Sequence, residues 1–254
     1  MGITSSALVF WVLSPWFLDT AHFSHPAVFI FLALGLLRPA LSANLAISAI
    51  RYLGPTLAAT LSSVAPLFGA IFGVFWLGEI LTLPIATATA GITLAVIILA
   101  HPGGRVAGGW PLWALLLPMG AALVRSLSHA ATKFGMFHIP DPYFAALVGF
   151  TVSALLTSGL QKLQTRGNAS GLSWRGPGAA WFLASGLVFA SAVLCLNNAL
   201  LKGTVITVVP IIASAPVFVM LLSVFVFRRE KITGKTMLAL GLVVPSVLAI
   251  VMWR

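Results

Sequence analysis

Six residues of this sequence place a polar or charged side chain deep inside an apolar run: Arg38, Asn44, Arg125, His129, Asn197 and Asn198. Such groups are costly in hydrocarbon, so each is a candidate for contact with something other than lipid. Arg38 is the sharpest. It stands at the centre of the run 26–50 and is followed by Pro39. A proline has no N–H to return to the preceding turn, so it frees a carbonyl and opens a local break in the helix. The other reading of Arg38 is a side chain that snorkels or pairs with a carbonyl. Arg125, Ser128, His129, Thr132 and Lys133 share one helical face. That stripe either lines a hydrophilic path or marks a helix nearing the membrane interface at Lys133. The asparagines both donate and accept, which suits substrate contact and also suits interhelical glue.

The acids set the sign of the chemistry. There are four, Asp19, Glu79, Asp141 and Glu230, and none falls in the middle of a run. An exporter of organic cations driven by protons needs a buried carboxylate that binds the cation and releases the proton. With Arg38 and Arg125 as the deep charges, the expected cargo is instead an anion or a zwitterion, such as an amino acid or an organic acid. His129 is the deep group whose ordinary charge change lies near neutrality, and so the leading candidate for proton coupling. Glu79 and Glu230 sit in turns at the ends of runs and read as helix-terminal and packing groups. No nucleophile–base set and no metal-ligand spacing is visible, and Cys195 is the single cysteine. The expectation is a protein that is not an enzyme and carries no metal or cofactor.

The elements that position these residues follow from composition. The 254 residues are 60% hydrophobic and 7% charged, with a mean hydropathy of +1.09. A soluble domain of this size cannot hide so much apolar surface, so the chain reads as an all-α polytopic membrane protein. The net charge of +10 does not form a nucleic-acid patch, since the basic residues occupy short gaps between apolar runs. The run 7–18 is apolar but shorter than the roughly 20 residues a span needs. After it come 26–50, 55–77 and 84–100, then a breaker-rich loop at 101–109. Five spans follow, at about 110–132, 143–160, 179–200, 205–227 and 236–252, with a polar loop at 161–177 holding Lys162, Arg166 and Arg175. Tryptophans at 16, 76, 110, 113, 174, 181 and 253 fall near span ends, as interfacial anchors do.

One stretch occurs twice. Residues 49–82, AIRYLGPTLAATLSSVAPLFGAIFGVFWLGEILT, align with residues 199–233, ALLKGTVITVVPIIASAPVFVMLLSVFVFRREKIT. Pro66 falls on Pro216, and Glu79–Thr82 on Glu230–Thr233 with one residue of slippage. Both prolines read as helix-shaping, like Pro39, with Ser62, Ser63 and Ser214 placed to satisfy freed backbone groups. The second half holds five helices and the first about four. Projected through the repeat, the first half lacks its opening helix. The expectation is then an internal Met1, and the alternative is a natural nine-span protein with a short first helix. An odd number of helices per half inverts one half relative to the other. The expected repeats are 1–102, N-terminally incomplete, and 103–254.

Ala49–Tyr52, Pro66, Gly78–Glu79 and Thr82, echoed by Ala199–Leu200, Pro216, Glu230 and Thr233, resemble the half-motif of the EamA-type carriers of the drug/metabolite transporter superfamily. Arg229 replaces the glycine in the second copy. The resemblance covers essentially the whole chain. It implies ten helices in two inverted halves, a central cavity, export or exchange of small metabolites, and a multi-pass place in a bacterial-type cytoplasmic (inner) membrane. It implies a small-molecule substrate and surrounding lipid as partners, with no nucleic acid, and leaves a homodimer open. It also implies a cytoplasmic C-terminus. The charge count favours the reverse, with Arg51, Arg105, Lys162, Arg166, Arg175, Arg228, Arg229, Lys231 and Lys235 on one side against Lys133, Lys202 and Arg254 on the other. The functional expectation is a secondary transporter working by alternating access. The alternatives are a lipid or lipid-carrier translocase and a non-transporting membrane partner protein.

Overall fold

A computed structural model describes residues 2–100, 111–164, 177–226 and 234–252. The loop expected at 101–109, the basic residues at 166, 175, 228, 229 and 231, and the second-copy Glu230 and Thr233 lie outside the described residues, as do the tryptophans at 110, 174 and 253. All regular structure among the described residues is helical. Four helices are long and apolar enough to cross a bilayer: Leu57–Phe75, Leu112–Met136, Pro142–Gly159 and Ala180–Lys202. Shorter apolar helices cover Gly2–Phe17, Leu83–Ile98, Val205–Val219 and Met237–Met252. Large hydrophobics such as Phe29, Phe75, Leu155 and Val188 face outward, where lipid solvates them. The protein is a polytopic helical membrane protein.

The chain forms two compact units that do not follow its order. The first takes Met1–Leu41 and Ala131–Lys202, the second Ser42–Ala130 and Gly203–Arg254. In the first unit α1 (Gly2–Phe17) packs against α7 (Pro142–Gln164) and α8 (Pro177–Lys202), and α2 (Val28–Leu36) packs along α7. Phe10, fully buried, stacks with Phe150 and meets Tyr143 edge-on, and the Tyr143 hydroxyl donates to the Phe10 carbonyl. Without a hydrophobic drive between helices in lipid, small polar residues make the close approaches. Ser5 and Ser6 of α1 do so here, donating to the carbonyls of Phe182 and Gly186 on α8 at 3.0 and 2.9 Å.

The turn between α1 and α2 is built around two carboxylates. Asp19 caps the 3-10 turn Thr20–Ser24, and His22 of that turn lies 3.4 Å from the Asp141 carboxylate. The other Asp141 oxygen accepts from the backbone N–H groups of Tyr143 and Phe144, at 2.8 and 3.0 Å, and so caps α7. Asp141→Ala removes that cap and should lower stability by about 1 kcal/mol, read as a lower midpoint of thermal unfolding in detergent.

The second unit contains α3 (Ser42–Ser62), α4 (Ala65–Phe75), α5 (Leu83–Ala100), most of α6 (Leu116–Met136), α9 (Val205–Ala213), α10 (Ala215–Phe225) and α11 (Gly234–Met252). α5 runs along α11 through Ile92, Ala95, Ala239, Val243 and Ile250, all nearly inaccessible. α3 is kinked at Gly54, whose φ of 78° is open to glycine at no steric cost. That kink is where one apolar run was expected to end and the next to begin.

The two repeat prolines have the same local geometry. Each is the second residue of an 11-residue helix, α4 or α10, entered through a residue at φ −74°, ψ −5° (Val64) or φ −75°, ψ −4° (Ser214). They therefore stand at a break within the helical stretches Leu57–Phe75 and Val205–Val219, at the head of the second part. The hydroxyls before them bond within the preceding turn, Ser63 donating to Thr60 O and Ser214 to Ile211 O, both at 2.6 Å, whereas the carbonyls four residues before the prolines are those of Ser62 and Ile212. Surroundings differ where geometry agrees. Pro66 is fully buried, with Ser126 of α6 donating to the neighbouring Ala65 carbonyl at 2.8 Å, whereas Pro216 is exposed.

Candidate functional site

Arg38 lies in a break, as the Arg–Pro pair predicts. α2 stops at Leu36, the stretch Leu37–Leu41 widens to a π-helical turn, and Arg38 itself is extended at φ −138°, ψ 134°. Pro39 cannot donate to the carbonyl four residues back, that of Gly35. A side chain from α7 donates instead: Ser153 Oγ lies 2.5 Å from Gly35 O and 3.0 Å from Arg38 O. α7 approaches this closely because residue 35 has no side chain. A Cβ there would stand 2.5 Å from Val152 Cβ and 2.9 Å from the Gly149 carbonyl. The Arg38 side chain is half-buried.

The polar stripe of α6 is buried. Ser128, His129, Thr132 and Lys133 are each 9% exposed or less, and Arg125 is half-buried. Ser128 turns back onto its own helix, donating to Val124 O at 2.7 Å. Lys133 does not sit at an open interface. Its ammonium donates to Leu200 O in the last turn of α8, at 3.3 Å, with the Phe137 ring 5.9 Å away. A cation there meets the negative end of that helix. α6 passes from the second unit to the first at Ala130–Ala131, so Arg125 and His129 belong to one and Lys133 to the other.

The asparagines separate by environment. Asn197 is 3% exposed, and its amide donates across to Pro142 O at the start of α7, at 3.1 Å. That bond joins α8 to α7 and is the glue role. Asn198 is exposed and donates to Leu194 O on its own helix. Asn44 is exposed on α3, whose next residue, Leu45, approaches α6 at Gly120. The first unit thus holds Arg38, Asn197 and Asn198, and the second holds Asn44, Arg125 and His129.

Glu79 makes the contact that the sequence could not supply. Both carboxylate oxygens accept from the first N–H groups of α9, Val205 at 2.7 Å and Ile206 at 2.9 Å. The N-cap residue of α9, Thr204, makes no side-chain cap bond, so a carboxylate 126 residues away in sequence does the capping. It reaches there because Gly78, at φ 68°, turns the chain back and the Glu79 N–H donates to Gly73 O at 2.9 Å. Gly73 leaves the room: a Cβ on it would stand 2.7 Å from the carboxylate and 2.6 Å from Ile206. The reading of Glu79 as a helix-terminal group is right in kind, but the helix is not its own. The chain between Leu200 and Val205 therefore has a lysine on the helix end before it and a glutamate on the helix start after it.

Tryptophans 16, 76, 113 and 181 are exposed near helix ends. Among the described residues no group of three or more metal-ligating side chains converges.

The sequence profile of the EamA-like transporter family matches residues 1–100 and 112–252. No curated protein matches the chain. One similar solved structure, described only as the crystal structure of a protein, superposes with a TM-score of 0.68 at 18% identity. The match covers 99% of this chain and 94% of that one, a likeness of fold.

Proposed function

From a chain that belongs to the EamA-like transporter family, and so to a family of membrane transporters, we propose a secondary carrier that exports a small polar metabolite by alternating access. The cargo class is an amino acid or an organic anion, and the setting a bacterial-type cytoplasmic membrane. The observation that carries the reading is the Arg38 break. A cation stands at a non-helical residue within an apolar segment, on backbone whose freed carbonyl is satisfied from a neighbouring helix. Discontinuous helices with unwound backbone are the usual way a transporter builds a polar site in a bilayer.

The acids support the sign of the cargo. Asp19 caps a 3-10 turn, Asp141 caps α7 and Glu79 caps α9, so the three described carboxylates are engaged at element ends. The organisation supports the mechanism. The chain crosses between its two units three times: after Leu41, inside α6, and after Lys202. The first crossing adjoins the Leu37–Leu41 break and the third adjoins Gly203–Thr204, both interruptions of helix where rotation is absorbed easily. Repeats at 1–102 and 103–254, related by inversion, fit the shared geometry of the two proline-led helices.

The test is flux in proteoliposomes loaded with labelled amino acids, organic acids and cationic dyes. The proposal expects acids or zwitterions to cross and the dyes to stay. Dyes crossing while acids stay would overturn the charge argument. Movement of lipid alone would favour a translocase of lipid or a lipid carrier.

A further inference from the structure

We propose that Ser153 is the positioning residue of the Arg38 break, acting on cargo only through Arg38. The inference rests on the reading of Arg38 as a contact in the transport path. In water, a carbonyl orphaned by proline finds a solvent donor, whereas in hydrocarbon it must find one in the protein. Ser153 is fully buried and its hydroxyl is within reach of the two carbonyls that flank the break, Gly35 O and Arg38 O. Gly35 O is the carbonyl that Pro39 orphans. Arg38 O belongs to the residue whose backbone leaves the helical region. One hydroxyl therefore reaches both edges of the break, its single proton lying between Gly35 O, the nearer, and Arg38 O.

Three features of α7 serve that contact. Val152 and the Gly149 carbonyl press on Gly35, setting the separation of the two helices at the level of the orphan. Ser153 follows at the next position of the same face. Thr157 donates to Ser153 O at 2.7 Å, one turn on. The direction of the Arg38 side chain follows from its extended backbone, and Ser153 keeps that backbone extended. Nothing in the sequence marks Ser153 out, since it is one serine among many in apolar runs.

A double-mutant cycle on thermal unfolding in detergent tests the structural half without any transport. Ser153→Ala should lower the midpoint by roughly 3–8 °C in the native background. Pro39→Ala restores the N–H that Gly35 O lacks, so in that background Ser153→Ala should lower it by less than half as much. Equal shifts in the two backgrounds would overturn the proposal. Should Ser153→Ala fail to fold, Ser153→Thr and Ser153→Cys take its place in the cycle, a full donor and a weak one. The transport half is a KM measurement on the best solute of the flux panel. Ser153→Ala should raise KM about 10-fold or more, with a smaller change in maximal rate. Ser153→Thr should restore it. An unchanged KM in Ser153→Ala would also overturn the proposal. Failure of the carrier reading looks different: the native chain then carries no solute, and the melting cycle alone decides what Ser153 does.

Discussion

Arg38→Ala is expected to abolish flux of acids and zwitterions while the protein still folds. Truncating a charged partner that is hydrogen-bonded in a desolvated site costs roughly 2–5 kcal/mol, and about 3 kcal/mol is roughly a 100-fold loss in rate or affinity. The break itself does not depend on the guanidinium, since Pro39 opens it and Ser153 satisfies it. The unfolding midpoint should therefore move far less than the flux. Arg38→Lys keeps the charge but loses the planar fork that matches a carboxylate, and should retain only part of the rate. Initial uptake rates in proteoliposomes check all three chains. Native flux in Arg38→Ala would remove Arg38 from the path.

Glu79→Ala carries the largest expected loss of stability. The variant leaves the Val205 and Ile206 N–H groups without their acceptor at the start of α9. An unsatisfied buried donor costs about 1–3 kcal/mol, and the lost attraction of a carboxylate for a helix N-terminus adds about 0.3–1 kcal/mol. A total of about 3 kcal/mol corresponds to a fall of roughly 6–12 °C in unfolding midpoint for a chain of this size. Glu79→Gln keeps one acceptor oxygen, loses the charge and turns an amide donor toward an N–H. It should fall about halfway. Gly73→Ala should approach the Glu79→Ala result, because its methyl occupies the place of the carboxylate. A midpoint for Glu79→Ala within about 1 °C of native would show that the cap carries no weight.

Local chemistry was legible in the sequence wherever it depends on neighbours along the chain. The Arg38–Pro39 pair announced a break because a missing N–H has a fixed consequence four residues back. The prolines at 66 and 216 announced matching geometry. The apolar runs gave the helical stretches, although α3 bridges the gap expected between 26–50 and 55–77, and 205–227 is divided at Ser214 into α9 and α10. Partners across the fold were not legible. Glu79 reaches Val205, Lys133 reaches Leu200, and Ser153 reaches Gly35, contacts spanning 126, 67 and 118 positions. Single residues state what bond they need and not who supplies it. Lys133 shows the cost of that gap: the sequence reads it as part of a hydrophilic path or as the point where α6 nears the interface, and its partner is instead the end of α8. The composition of the two units was hidden for the same reason, since each draws on both halves of the chain.

Counterflow tests the central claim most directly. Proteoliposomes are loaded with a high concentration of unlabelled solute and diluted into a trace of the labelled form. A carrier that exposes one site alternately to the two sides of the membrane exchanges the label inward against the outgoing load. The label should then rise transiently above its equilibrium level and decay as the load drains. Label that only climbs to equilibrium, or never enters for any acid or zwitterion of the panel, would contradict alternating access by this protein.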